Sequence, residues 1–251
     1  MSLPFALPQR GRVRTLHRFR PCPVRLQAGS IRTPILREIR YNGSLLPDTG
    51  RIRVIRQRFL DYCQGLKQAL DTVAADAFAE FIELLEKAYQ EGRQVFLMGN
   101  GGSASTASHA VADLNKGVSF GRSQRFRAIC LNDSLATLTA YANDVSYDDI
   151  FVEPLKNFLR PGDVVIGISG SGNSPNVLKA IDYANQHGAI TVGLCGFQGG
   201  KLVRLAHLAL LVPVHDMQKV EDIHLIIFHV AMQVLCARME APAEAPPAPA
   251  C

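Results

Sequence analysis

No unbroken run of 18 apolar residues occurs in the 251-residue chain, so no membrane span is expected. No apolar core of a secretory signal stands near the start. The six cysteines (Cys22, Cys63, Cys130, Cys195, Cys236 and Cys251) show neither metal nor redox spacing. Cys130 and Cys195, in apolar strand contexts, read as buried free thiols, which fits a reducing, cytoplasmic compartment. Residues 1–50 carry no helix-turn-helix signal and no aromatic interleaving of their basic residues, so a nucleic-acid partner is not expected. Lysine is missing from residues 1–58, which hold thirteen Arg against only Glu38 and Asp48. The rest of the chain is slightly acidic, so the formal charge of +5 describes the N-terminal stretch and not the body.

What is present suffices for a sizeable core: 47% of residues are apolar and 20% charged. Three regions are expected. Residues 1–50 form a basic, Arg/Pro-rich, poorly ordered extension, residues 51–239 a folded domain, and residues 240–251 an Ala/Pro low-complexity tail. Apolar residues at helical spacing predict helices over 54–70 and 75–90. Their wide apolar faces need a cover, which an oligomer interface would supply. Strands are then predicted at 94–98, 127–131, 164–168, 190–195 and 208–212. Helices are predicted at 103–115, 134–142, 147–158, 174–187, 200–206 and 217–238. The alternation implies an α/β fold, an αβα sandwich around a five-stranded parallel sheet with N-terminal helices.

The stretch from Val164 to Asn176 organises this pattern. A β-branched run suits a strand covered on both faces. Ser169, Gly170, Ser171, Gly172, Asn173 and Ser174 follow, with Ser174 a good N-cap and Pro175 at the first helical position. Such a turn offers hydroxyls, backbone N–H groups and the positive end of a helix to an anion. A second turn of this kind, Gly99 to Ser103, follows the first predicted strand. Both lie at carboxyl ends, where ligands of doubly wound sheets bind. Neither turn has the dinucleotide fingerprint, and no Walker lysine follows either one, so a small phosphorylated ligand is favoured over NAD or ATP.

His109 and Asp113 share a helix face, one turn apart. Glu221, Asp222, His224 and His229 interrupt the apolar last helix. Glu221 and His229 are displaced by about 80° and roughly 12 Å along its axis. These imidazoles and carboxylates suit a divalent ion, general acid–base work, or ordinary interior histidines with hydrogen-bond partners.

The combination of GNGGSAS at 99–105 leading into His109 and Asp113, LNDS at 131–134, ISGSGNS at 168–174, and VEDIH at 220–224 with His229 beyond resembles the SIS (sugar isomerase) domain family. Within it the pattern is similar to the phosphoheptose isomerase type over roughly residues 54–238. The resemblance implies a flavodoxin-like fold and a homotetramer with active sites between subunits. It implies aldose–ketose isomerisation of sedoheptulose 7-phosphate to D-glycero-D-manno-heptose 7-phosphate through an enediol. Substrate contacts would come from Asn100, Gly101, Gly102, Ser103, Asn132, Asp133, Ser169, Ser171, Asn173 and Ser174. A divalent metal, zinc by expectation, would sit on His109, Asp113, Glu221 and His229. Asp113 or Glu221 would act as base and His229 as acid. The chain departs from the family pattern in having Asp113 for a Glu, Glu221 for a Gln, Asn132 for an Asp and Gly170 for a Thr. Related SIS proteins are non-catalytic, as adaptors of the replication initiator or as sugar-phosphate-sensing regulators. An adaptor needs no acid/base set, so the two histidines and two carboxylates favour an enzyme.

Overall fold

The structure is a computed structural model that describes residues 40–41, 44–45 and 50–240. Two units separate, residues 1–49 and 50–251. In the first, β1 (Arg40–Tyr41) pairs antiparallel with β2 (Ser44–Leu45), a contact the sequence did not announce. Apart from these four residues and Gly50, the expected basic extension lies outside the described residues, as does the Ala/Pro tail beyond Glu240.

The second unit carries the α/β body. Helices α1 (Gly50–Leu70) and α2 (Ala75–Gln90) precede β3 (Gln94–Gly99). Then follow α3 (Gly102–Ala112), β4 (Arg127–Cys130), α4 (Leu135–Asp144) and α5 (Val152–Phe158). The chain continues through β5 (Val164–Ser169), α6 (Pro175–Gln186), β6 (Ile190–Gly196), α7 (Leu202–Leu205), β7 (Leu208–Val212) and α8 (Met217–Glu240). The five strands β4-β3-β5-β6-β7 are all parallel. The order reverses between β3 and β5, which places a crevice at their carboxyl ends. Both Gly/Ser turns rise there.

Strand alternation distributes the core. Val95 and Leu97 face the layer of α2, α3 and α8, while Phe96 and Met98 face the layer of α5, α6 and α7. All six residues of β5 are buried. Each fully buried aliphatic or aromatic side chain contributes about 1.5–3 kcal/mol, so the middle of this sheet is the rigid support for its rim.

Three details differ from the periodicity reading. The third helix is regular only to Ala112, after which Asp113–Val118 form a π-helical turn. Asn115 anchors that turn to the Ala128 backbone through bonds of 2.8 and 3.0 Å. One extra residue per turn leaves no mark on hydrophobic spacing, yet such turns recur at functional sites. The helix expected over 147–158 is split into a 3-10 turn, Tyr147–Asp149, and α5. Pro154 is tolerated only near a helix start, so a helix has to begin at Val152. Finally, Met217–Met239 is long and apolar enough to cross a membrane by length and composition, although charged residues and histidines interrupt the run. Its inward face, Val220, Ile223, Ile227, Phe228, Ala231 and Leu235, is buried in the core. Cys130 and Cys195 are buried and unpaired, and burial pushes both thiols up to about 12.

Candidate active site at the switch point

The serine turn is held by backbone bonds. Gly172 N–H donates to Ser169 C=O at 2.9 Å, Gly196 N–H to Gly170 C=O at 2.8 Å, and Leu202 N–H to Gly172 C=O at 3.0 Å. Gly172 adopts φ +66°, and any β-carbon there would collide with the Gly199 carbonyl, so no other residue fits. Ser169 and Ser174 hydroxyls bond each other at 3.0 Å. A cavity of about 130 Å³ opens between the two turns, lined by Asn100, Ser103, Ser169, Gly170, Ser171, Ser174, Met217 and Glu221, with Ile168 at its floor. It is far smaller than a pocket that encloses a whole drug-sized ligand. Larger clefts of about 480 and 530 Å³ lie away from the rim, one under α6 and α7 and one beside Arg122 and Arg238. Neither lies between the two Gly/Ser turns.

Gly170 stands where the family pattern has Thr. Its missing side chain leaves room for the Met217 sulfur, and a β-carbon would strike it. Glu221 likewise presses its carboxylate on Gly102 at the amino end of α3, where the helix dipole favours negative charge. Glu221 therefore lies with the serine pocket.

The second cluster is built where α3 passes into its π-helical turn beside α8. His109 Nε2 is 2.9 Å from His229 Nε2. Asp113 Oδ2 lies 3.5 Å from the first and 4.0 Å from the second. These three atoms form the metal-competent group among the described residues. Two Nε2 atoms at this distance either share one N–H or bind one cation. Asp113 Oδ2 is buried with no hydrogen-bond partner, a costly state for a carboxylate oxygen. Two imidazoles and an orphaned carboxylate oxygen are a donor set that a divalent ion satisfies. Glu221 is not in this group.

The clusters are two ends of one seam. α3 packs along α8. Gly102 meets Glu221 at one end, and His109 meets His229 at the other. Seven and eight helical residues separate the ends, about 10–12 Å.

Of the other expected contacts, Asn132 spends both ends of its amide on Gly99, accepting from N–H at 3.2 Å and donating to C=O at 2.8 Å. Asn173 donates to Ser171 C=O at 3.0 Å and accepts from Lys201 N–H at 3.1 Å, tying the serine turn to the neighbouring loop. Neither Asn132 nor Asn173 lines the cavity, and Asp133 and Gly101 are exposed on the rim outside it. Asn176 and Tyr147 were not anticipated. Asn176 is 1% exposed, and both bond Asn100. Asn176 lies 76 residues from Asn100, so no local spacing signals the pair.

The SIS domain family model matches residues 58–196. The chain is 35% identical over 177 residues to a phosphoheptose isomerase of Helicobacter pylori, covering 70% of this chain and 91% of that protein. It is 36% identical over 189 residues to one of Paramagnetospirillum magneticum, covering 73% and 95%. The chain belongs to the SIS domain family, among the phosphoheptose isomerases. The solved phosphoheptose isomerase of Neisseria gonorrhoeae superposes on this SIS domain with TM-score 0.67 at 26% identity, over 75% of this chain and all of the other. The αβα sandwich expected from the sequence is therefore that of the family.

His224 completes the inventory. It is fully buried on α8 with both ring nitrogens unpartnered. Burial pulls its pKa down to about 4, against a weaker pull upward from the Cys195 backbone. It is an interior histidine, kept neutral, and not a ligand.

Proposed function

We propose that the protein interconverts sedoheptulose 7-phosphate and D-glycero-D-manno-heptose 7-phosphate. The observation that carries this reading is the shared seam, with a hydroxyl-lined anion pocket at one end of α3 and α8 and a His/Asp cluster at the other. An extended polyol phosphate spans that separation. Ser169, Ser171, Ser174 and Ser103 hold the phosphoryl group with the amino end of α3, and Asn100 binds an oxygen of the same substrate. Asn132, Asn173, Asp133 and Gly101 shape the rim. Gly102 leaves room for Glu221.

Asp113 takes the proton from C1 of the ketose, and His229 gives a proton to O2, which yields the cis-enediol. His229 then takes back the hydroxyl proton from O1, and Asp113 returns its proton to C2, giving the aldose with both residues in their starting protonation states. Positioned groups of this kind contribute about 10²–10⁴-fold. Glu221 reaches substrate from the phosphate side and is the second carboxylate able to move a proton. His109, Asp113 and His229 would hold a divalent ion, zinc being the best match to their chemistry, with Glu221 joining if its side chain swings along the seam. Such an ion would supply Lewis-acid polarisation of the carbonyl in place of proton donation by His229, whose Nε2 would then be a ligand, and Glu221 would be the carboxylate left to move the proton.

The working form is a cytoplasmic homotetramer. Ile52, Val54, Ile55, Phe59 and Leu60 on α1 are 41–67% exposed, an apolar face that a second copy covers. That copy also closes the open side of the seam. The test is turnover of sedoheptulose 7-phosphate, followed with and without a chelator. Turnover that falls on chelation and returns with zinc supports the reading. Binding of the sugar phosphate without turnover replaces it with an adaptor or sensor.

A further inference from the structure

The described site leaves one buried polar side chain without a role. Asn176 sits in the first turn of α6, 1% exposed. Val177 N–H donates to its Oδ1 at 2.9 Å. A backbone N–H only donates, so this bond settles which end of the Asn176 amide is oxygen. The other end, Nδ2, then donates to Asn100 Oδ1 at 3.0 Å, and Asn100 Nδ2 donates back to Asn176 Oδ1 at 2.9 Å. Tyr147 donates its hydroxyl to the same Asn100 Oδ1 at 3.0 Å. The Asn100 carbonyl thus receives two bonds and one of its N–H groups makes a third. The group of that amide still available to the cavity is its second N–H.

We propose that Asn176 is a positioning residue, which locks the Asn100 amide so that an N–H, and not a carbonyl, faces the serine pocket. A donor there attracts an oxygen of the sugar phosphate, whereas a carbonyl would repel it. The lock also joins the turn after β3 to the turn after β5 across the switch point. Substrate oxygen therefore meets a donor set before it arrives, with no reorientation on binding. The inference rests on the reading of this cavity as the phosphoryl end.

The discriminating variants are Asn176→Asp, Asn176→Ala and Tyr147→Phe. Asn176→Asp keeps the shape and the bond from Val177, but its carboxylate cannot donate to Asn100. Asn176→Ala removes the lock without burying a charge, which covers the case in which Asn176→Asp folds poorly. In each Asn176 variant the KM for sedoheptulose 7-phosphate and the Ki for inorganic phosphate should rise together, about tenfold for the loss of one well-placed hydrogen bond. The kcat should stay within about threefold and Tm within a few degrees. Tyr147→Phe should raise both constants about twofold. Unchanged KM and Ki in folded Asn176 variants overturn the assignment. So does a loss confined to kcat, which would mark a diffuse structural role. Wild-type turnover that inorganic phosphate does not inhibit overturns the pocket itself, and the role of Asn176 with it.

Discussion

The two ends of the α3–α8 seam are built by different means. The serine turn is a backbone construction: its shape comes from Gly172 at positive φ, from bonds between Gly172 and Ser169 and between Gly196 and Gly170, and from a buried strand beneath. The His/Asp cluster is a side-chain construction on two helices, with one carboxylate oxygen lacking a partner. The serine turn is complete in its own backbone bonds, and the His/Asp cluster keeps an oxygen unsatisfied. The difference fits the chemistry proposed for the two ends. A phosphoryl group has the same charge in ground and transition states, so a fixed cradle contributes binding. The reacting carbons change protonation, so groups free to exchange protons contribute rate.

Changes at the two ends should therefore separate kinetically. The largest effect is expected from Asp113→Ala or His229→Ala, which should lower kcat by about 10²–10⁴-fold with KM little changed and the circular dichroism and oligomeric state intact. Steady-state kinetics beside size-exclusion chromatography checks this. Wild-type kcat in either variant would remove the acid–base assignment and reduce the cluster to a structural contact.

Next in size is Gly172→Ala. The methyl group meets the Gly199 carbonyl, backbone against backbone, at a φ that other residues resist. A cost above about 1 kcal/mol is expected, seen as a lower Tm. The KM should rise many-fold as the turn opens, while the surviving kcat marks an undamaged far end. Loss of kcat with KM preserved would mean that the two ends are not independent.

How much of this was legible follows the same division. The parallel sheet, the two turns and the positions of its five strands could be read, because buried β-branched runs and Gly/Ser punctuation are local signals. Ser169, Ser171, Ser174, Ser103 and Asn100 lie together at the rim, where strand–turn–helix grammar places them. The π-helical turn at Asp113 could not be read, since it alters backbone geometry without altering residue pattern. The partition of Glu221 from His229 was half visible. Their separation along the helix followed from spacing, but contact of Glu221 with Gly102 depends on how α8 crosses α3. Asn132 and Asn173 read as ligand contacts because their residue types and turns fit. In the structure each amide is hydrogen-bonded to backbone, a pairing that composition does not reveal. Asn176 escaped notice because a long-range pair of amides has no period.

An effect on stability alone, with no change in kcat or KM expected near neutral pH, concerns the support under both ends. His224 is buried neutral, and its pKa falls from 6.5 in the unfolded chain to about 4 in the fold. Above pH 6.5 neither state holds the proton, so His224 imposes no penalty there. Below it the unfolded chain binds a proton that the folded one refuses, and stability is lost progressively until about pH 4. The loss attributable to this residue is on the order of 3 kcal/mol. Thermal melts of wild type and His224→Gln across this range check it. The wild-type Tm should fall more steeply, and parallel curves would show that His224 does not govern acid stability.

The smallest expected effect is the one that decides where Glu221 belongs. Gly102→Ala adds a β-carbon where the Glu221 carboxylate now rests. The obstructing atoms are the far end of a flexible side chain, so Glu221 moves and the backbone does not. Alanine also favours the helix by up to about 1 kcal/mol over glycine, so Tm should hold or rise by a few degrees. If Glu221 serves the phosphate end, its displacement changes KM by about twofold to fivefold, a fraction of a hydrogen bond, and leaves kcat alone. If Glu221 is the carboxylate that moves the proton, kcat falls instead while KM holds. Neither change would mean that its contact with Gly102 is passive, and would leave Asp113 as the sole carboxylate acting on the substrate.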